Sequence, residues 1–174
     1  PGLDEILKGG FRRNMSILIT GSPGTCKTIM ALQYIYYGAK NYKEKGIFIT
    51  TEERLSDLRF YAKTLGMDIE KYEKEGSIIL IEKAVSTLRG GIMSMEGLLS
   101  LIKKNKIRRI ALDSIIFFEY LYPKEVEKEK TEFRRQVLMF IQQLKKSDTT
   151  FLTVSERTIT DLDKLEYDEL DFVF

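Results

Sequence analysis

The clearest chemical pattern in the sequence is a glycine-containing segment, residues 21–28, which reads GSPGTCKT. It follows an apolar run at residues 15–20 and precedes a helical pattern that begins at Thr28. The backbone N–H groups of such a loop surround phosphates, and the start of the following helix favours anions. Lys27 suits the β- and γ-phosphates, and the Thr28 hydroxyl suits a magnesium ion. This segment, called the phosphate loop below, predicts ATP and Mg²⁺ as ligands.

One residue of the phosphate loop departs from the usual pattern, G-x-x-x-x-G-K-[ST], because Cys26 stands where glycine normally precedes the lysine. Its side chain would push the phosphates outward or shift the loop. A loop that keeps its shape but binds or hydrolyses nucleotide weakly is therefore one interpretation. A redox-sensitive thiol is another, and an inert substitution is favoured over it. The predicted nucleotide-binding residues are Ser22, Pro23, Gly24, Thr25, Cys26, Lys27, Thr28 and Ile29.

Carboxylates follow two of the other predicted strands. Glu52 and Glu53 come after the strand at residues 47–51, and Asp113 ends the strand at residues 107–113. Because the carboxyl ends of parallel strands share one edge of a sheet, these groups are expected near the phosphate loop. Asp113 is then a candidate magnesium ligand together with Thr28, and Glu52 is a candidate for the base that orients the attacking water.

The predicted catalytic residues are thus Glu52, Glu53 and Lys27, although each glutamate taken alone also fits a solvated loop. Ser155 ends the strand at residues 149–155 and suits a sensor-like hydrogen bond to the γ-phosphate, or a structural one.

Short β-branched runs alternate with longer amphipathic stretches along the chain, which predicts an α/β fold with a mainly parallel sheet flanked by helices. The predicted strands cover residues 15–20, 47–51, 78–81, 107–113 and 149–155, and residues 171–174 resemble the beginning of another. One predicted helix begins at residue 28, and the others cover residues 55–65, 94–105 and 125–146.

Composition excludes several kinds of chemistry. The 174 residues contain no histidine and one cysteine, so serine–histidine or cysteine–histidine nucleophiles and multi-cysteine zinc sites cannot form within this chain. The formal net charge of +2 does not by itself call for nucleic acid. No apolar run approaches the roughly 20 residues of a membrane span, and no secretory signal is visible. A cytoplasmic location without a membrane partner is the expectation.

With these motifs in place, the chain resembles the KaiC-like branch of the RecA superfamily of P-loop ATPases. The resemblance rests on the opening GLDEIL with Gly9 and Gly10, the phosphate loop, the double-glutamate segment ITTEE, the segment ALDS around Asp113, and LTVSE around Ser155. These motifs occur in the family's order over nearly the whole chain.

The resemblance implies a three-layer RecA-like domain over residues 1–174, with the family's C-terminal strands expected beyond Phe174, and an archaeal source. It also implies ATP and Mg²⁺ at an interface between subunits of a ring or filament. A trans-acting basic or polar residue would complete the site from the neighbour.

Three functions stay open at this point. The first is a Mg²⁺-dependent ATPase that works as a homo-oligomer, and the second is a regulatory or assembly subunit that binds ATP with little hydrolysis, with a protein partner. The third is a RadA-like recombination accessory protein that binds DNA. Its candidate DNA contacts are the basic residues 103–109 and the tyrosines Tyr34, Tyr36, Tyr37 and Tyr42. DNA is not favoured, because those lysines suit a helix end and those tyrosines suit packing.

Overall fold

The computed structural model describes residues 3–82, 95–115, 117, 129–156 and 172–173. Within these residues, strands and helices alternate along the chain. The strands are β1 (Ser16–Thr20), β2 (Gly46–Thr50), β3 (Ile78–Glu82), β4 (Arg109–Asp113), β5 (Thr150–Ser155) and β6 (Phe172–Val173). The helices are α1 (Leu3–Ile6), α2 (Lys27–Tyr42), α3 (Leu55–Thr64), α4 (Ile69–Lys74), α5 (Met95–Asn105) and α6 (Glu129–Lys146).

The described strands form one sheet in the order β3-β2-β4-β5-β1-β6, and each neighbouring pair is parallel. The register places Thr20 beside Ser155 and Thr50 beside Asp113. The carboxyl ends of β1, β2, β4 and β5 therefore lie together. We call this side, marked by those four residues, the carboxyl edge of the sheet.

Side chains that alternate along the strands supply two separate cores, one on each face of the sheet. Leu18 and Phe151 belong to the core that α5 and α6 cover, where the rings of Phe140 and Phe151 meet edge to face with centroids 5.7 Å apart. Ile17 and Leu152 belong to the core that α2, α3 and α4 cover. The structure thus has three layers, helices–sheet–helices.

The predicted α/β fold with a parallel sheet between helices is confirmed, and most element boundaries differ from the prediction by one or two residues. β4 begins at Arg109 rather than residue 107, because the N–H groups of Arg108 and Arg109 both donate to Lys45 O (2.9 and 3.2 Å). The helices α1 and α4 were not predicted. Residues 125–128 of the predicted last helix lie outside the described residues. No helix in the described ranges combines the length and the apolar character needed to cross a bilayer.

Candidate nucleotide site

The phosphate loop connects β1 to α2 at the carboxyl edge. Inside the loop, the Thr25 hydroxyl donates to Ser22 O at 2.9 Å, and the Lys27 ammonium group donates to the same carbonyl at 2.9 Å. Gly24 has a φ of 81°, a backbone conformation that suits glycine. Residues 22–26 are exposed, whereas Lys27 is buried. The loop therefore presents its backbone to solvent and holds a buried cation at the start of a sixteen-residue helix.

Cys26 caps the amino end of α2 in a left-handed conformation, with φ 63° and ψ 24°. Its carbonyl accepts the Met30 N–H at 3.0 Å, so the first helical hydrogen bond forms normally. Its side chain makes no cap hydrogen bond, and its sulfur lies 4.0 Å from Gly24 O. The loop keeps a backbone geometry that favours glycine, so the cost of cysteine here includes backbone strain as well as bulk.

Asp113 ends β4 opposite the start of α2 and is 2% exposed. One of its oxygens, Oδ2, is buried without a hydrogen-bond partner among the described residues. Burial raises the pKa of Asp113 to about 6, a hydrogen bond with Thr28 opposes this rise, and the charges of Glu52 and Glu53 add to it. The nearby Lys27 charge lowers the pKa. Each of these predicted site residues therefore lies near enough to influence the pKa of Asp113.

A hydrated Mg²⁺ ion fits this arrangement. Magnesium in nucleotide sites is commonly held by one or two protein oxygens, substrate phosphates and water. The orphaned Asp113 oxygen and the adjacent Thr28 hydroxyl supply that donor set. The described residues contain no cluster of three or more metal-binding side chains, so a cation here would depend on the nucleotide as well as the protein.

Glu52 and Glu53 lie in the turn that follows β2. Their N–H groups both donate to the buried Thr50 hydroxyl, at 3.2 and 2.9 Å. The Thr51 N–H donates to Asp113 O at 2.8 Å, which ties the turn to β4. The Ser114 hydroxyl donates to Glu52 Oε1 at 2.8 Å. These contacts bring the turn and the end of β4 into one site.

Ser155 ends β5 and is 2% exposed. Its carbonyl accepts the Gly21 N–H at 3.3 Å, so β5 supports the first residue of the phosphate loop. Ile29 lies in the first turn of α2 and is partly buried. Two residues that hold the site together, Thr50 and Ser114, are absent from the sequence-based prediction. The available signal is their place next to predicted carboxylates, in the segments TTEE and DS.

The candidate DNA contacts are largely engaged in intramolecular contacts. The Arg109 guanidinium lies 4.8 Å from the Tyr34 ring and 5.1 Å from the Tyr42 ring, and its Nε donates to Glu44 at 2.6 Å. Tyr36 belongs to the core, and Arg108 pairs with Asp148. Arg109 begins β4, at the end of the strand opposite Asp113. Lys103, Lys104 and Lys106 of the basic stretch are exposed, and DNA binding stays the prediction that is not favoured.

The chain matches one known protein family over almost its whole length. The model of the family described as "ATPase: KaiC" matches residues 1–172. The chain belongs to the KaiC ATPase family. The predicted resemblance to the KaiC-like ATPases is therefore confirmed.

The KaiC relatives include proteins of very different length. The circadian clock oscillator protein KaiC of Prochlorococcus marinus is 31% identical over 167 residues, which cover 90% of this chain and 31% of that protein. A UPF0273 protein of Aeropyrum pernix is 30% identical over 175 residues, which cover 92% of this chain and 67% of that protein. The chain thus spans about a third of the clock protein.

A solved structure supports the same assignment. The crystal structure of a KaiC-like protein from the hyperthermophilic archaeon Pyrococcus horikoshii matches with a TM-score of 0.72 and 33% identity. The match covers 90% of this chain and 68% of that one. The three-layer arrangement described above is therefore that of a KaiC-like protein, while an archaeal source for this chain stays a prediction.

Proposed function

We propose that this KaiC-family domain is a Mg²⁺-dependent ATPase that hydrolyses ATP to ADP and phosphate at the carboxyl edge of the sheet. The observation that carries the proposal is the convergence of Lys27, Thr28, Glu52 and Asp113, which come from three separate turns of the chain. The influence of the other three on the Asp113 carboxyl is direct support for a common site.

Each group has a role that its position supports. The exposed backbone of the phosphate loop binds the phosphates, and Lys27 leaves Ser22 O to neutralise the β- and γ-phosphates. Thr28 and Asp113 would hold Mg²⁺, which would supply positive charge at the phosphates. Glu52 accepts a hydrogen bond from the attacking water and orients its oxygen toward the γ-phosphorus.

We also propose that the site is completed in a homo-oligomer, a ring or a filament. The loop residues 22–26 are exposed, so the outer side of the nucleotide would remain open to water in a single chain. A neighbouring subunit that covers this side would exclude water and supply a cation to the γ-phosphate. A cytoplasmic location fits the single, unpaired cysteine.

Phosphate release tests the proposed hydrolysis. Lys27→Ala should lower the rate by about 100-fold or more, since it removes the main cation at the phosphates. Lys40→Ala is the matched control, because Lys40 is an exposed lysine of the same helix that lies over Tyr36 instead of the loop. Removal of Mg²⁺ with EDTA should also stop release. Equal release by wild type and Lys27→Ala would contradict the proposal.

The left-handed Cys26 favours one second candidate, an ATP-binding subunit with little turnover. Strain in the loop that must surround the phosphates would raise the energy of the bound geometry. In that case ATP should raise the melting temperature of the wild type without phosphate release above the Lys27→Ala background. Cys26→Gly should then restore release, and Cys26→Ala should not. Release by wild type at the Cys26→Gly rate would exclude this candidate.

A further inference from the structure

The two adjacent acids Glu52 and Glu53 are held differently, although they share one turn. The Glu52 carboxylate accepts the Ser114 hydroxyl at 2.8 Å, whereas the Glu53 carboxylate has no hydrogen bond of its own among the described residues. The backbone does not distinguish the two acids, since both N–H groups donate to the Thr50 hydroxyl. The hydrogen bond that distinguishes the two carboxylates therefore comes from a single side chain, that of Ser114.

Ser114 is well suited to fix an otherwise free carboxylate. It is 1% exposed, so its hydroxyl is confined by packing, whereas Glu52 is an exposed residue. An exposed glutamate samples several rotamers, and a hydrogen bond from a rigid donor selects one of them. The bond uses Oε1 only, so Oε2 keeps no partner within the described part of the chain and is available to a water molecule.

Ser114 also follows Asp113 directly, so one dipeptide would carry a ligand of the metal and the donor that holds the acid. The Thr51 N–H adds a second tie, to Asp113 O at 2.8 Å. The distance between the metal site and the water-orienting carboxylate is therefore set by covalent neighbours and short hydrogen bonds. Phosphoryl transfer to water depends on the position of the water relative to the phosphate, so a fixed carboxylate favours the reaction.

We propose that Ser114 is a positioning residue that makes Glu52, rather than Glu53, the carboxylate that orients the attacking water. This inference rests on the proposed ATPase function and adds to it the choice between two adjacent acids. Ser114 touches neither nucleotide nor water in this scheme and acts through Glu52.

A double-mutant cycle measured on full-length protein tests the proposal. Ser114→Ala should lower kcat by about ten-fold, the value of one hydrogen bond to a charged group, and leave the Kd for ATP within about two-fold. In a Glu52→Gln background, Ser114→Ala should change kcat by less than about two-fold, because the group that it positions is already disabled. In a Glu53→Gln background the loss of about ten-fold should remain.

Thr149→Val is the matched control for the loss of a buried hydroxyl. Thr149 is 1% exposed and donates to Ile107 O, ahead of β4 and away from the carboxyl edge. This variant should lower the melting temperature without lowering kcat, which separates stability from positioning.

The possible results separate the failure of the positioning role from the failure of the proposed ATPase function. If Ser114→Ala lowers kcat equally in the wild-type and Glu52→Gln backgrounds, or if its effect vanishes in the Glu53→Gln background instead, the positioning role of Ser114 is wrong while the ATPase proposal stands. If Ser114→Ala weakens ATP binding as much as it lowers kcat, the residue supports only the fold of the site, and the positioning role is again wrong. If wild type and Lys27→Ala release phosphate equally, the proposed function fails first and this inference fails with it.

Discussion

Replacement of Cys26 by glycine should stabilise the nucleotide-free domain, because Cys26 has φ 63° and ψ 24°. A residue with a side chain loses about 1–2 kcal/mol in this left-handed region, and glycine does not. Glycine in turn gains freedom in the unfolded chain that costs about 0.5–1 kcal/mol. The difference leaves a net stabilisation of about 0–1.5 kcal/mol, with a midpoint of about 0.75 kcal/mol. At about 2–4 °C per kcal/mol for a domain of this size, the midpoint corresponds to a rise in melting temperature of about 1.5–3 °C.

Cys26→Ala separates backbone strain from the properties of the thiol. Alanine keeps the Cβ atom and hence the strain, and little buried surface is lost because Cys26 is exposed. Alanine and wild type should therefore melt within about 1 °C of each other. The assay is thermal unfolding by circular dichroism, in reducing buffer and without nucleotide or Mg²⁺. If alanine stabilises as much as glycine, the thiol is responsible and the strain argument is refuted. If Cys26→Gly lowers the melting temperature, the left-handed conformation of Cys26 does not destabilise the domain, and the strain argument is also refuted.

Three further predictions concern the supports of the site. Burial raises the pKa of Asp113 from 3.8 to about 6, so the folded chain holds this proton more tightly than the unfolded chain and loses stability as the pH rises between those values. Without nucleotide and Mg²⁺, the free energy of unfolding of Asp113→Asn, measured in urea, should exceed that of wild type by up to about 3 kcal/mol above pH 6. The gain should vanish below about pH 3, where Asp113 is protonated in both states. Arg109→Met should lower the free energy of unfolding by about 2 kcal/mol, because it leaves the Glu44 side chain, which is 15% exposed, without its closest cation. Arg108→Met removes an exposed ion pair and should lower it by less than about 0.5 kcal/mol in the same thermal assay. Thr50→Val should lower kcat by about ten-fold since it removes the acceptor for two N–H groups of the turn, and Thr50→Ser should retain most activity; equal losses would refute this role.

Long apolar or periodic segments made most of the fold predictable, and short segments did not. β5 is entirely buried, and a run such as TFLTVS indicates a strand. α4 has six residues, mostly charged, and Ile69 is its only buried residue, so no helical period is visible in the sequence. It depends on Asp68, whose side chain accepts the Lys71 N–H at 3.2 Å. A capping residue before so short a run is a weak signal in sequence alone.

The convergence of the site was predictable because parallel strands end at a common edge, which places Glu52 and Asp113 near the phosphate loop. The contact between Ser114 and Glu52 was not, since it joins turns 62 residues apart and depends on the register of β2 against β4. The conformation of Cys26 was also missed. The sequence indicates the bulk of the Cys26 side chain, whereas its left-handed backbone conformation is visible only in the structure.

The position of β1 in the sheet has a consequence for biosynthesis. β1 pairs with β5 and β6, whereas β2 pairs with β3 and β4, which are nearer to it in sequence. The segment SILIT is therefore synthesised well before its two partner strands, which lie more than 120 residues later in the sequence. Such distant pairing is slow and leaves an apolar strand open to aggregation in the meantime. The proposed nucleotide site thus forms late in the folding of this domain, and a nucleotide that binds only the folded state would stabilise it.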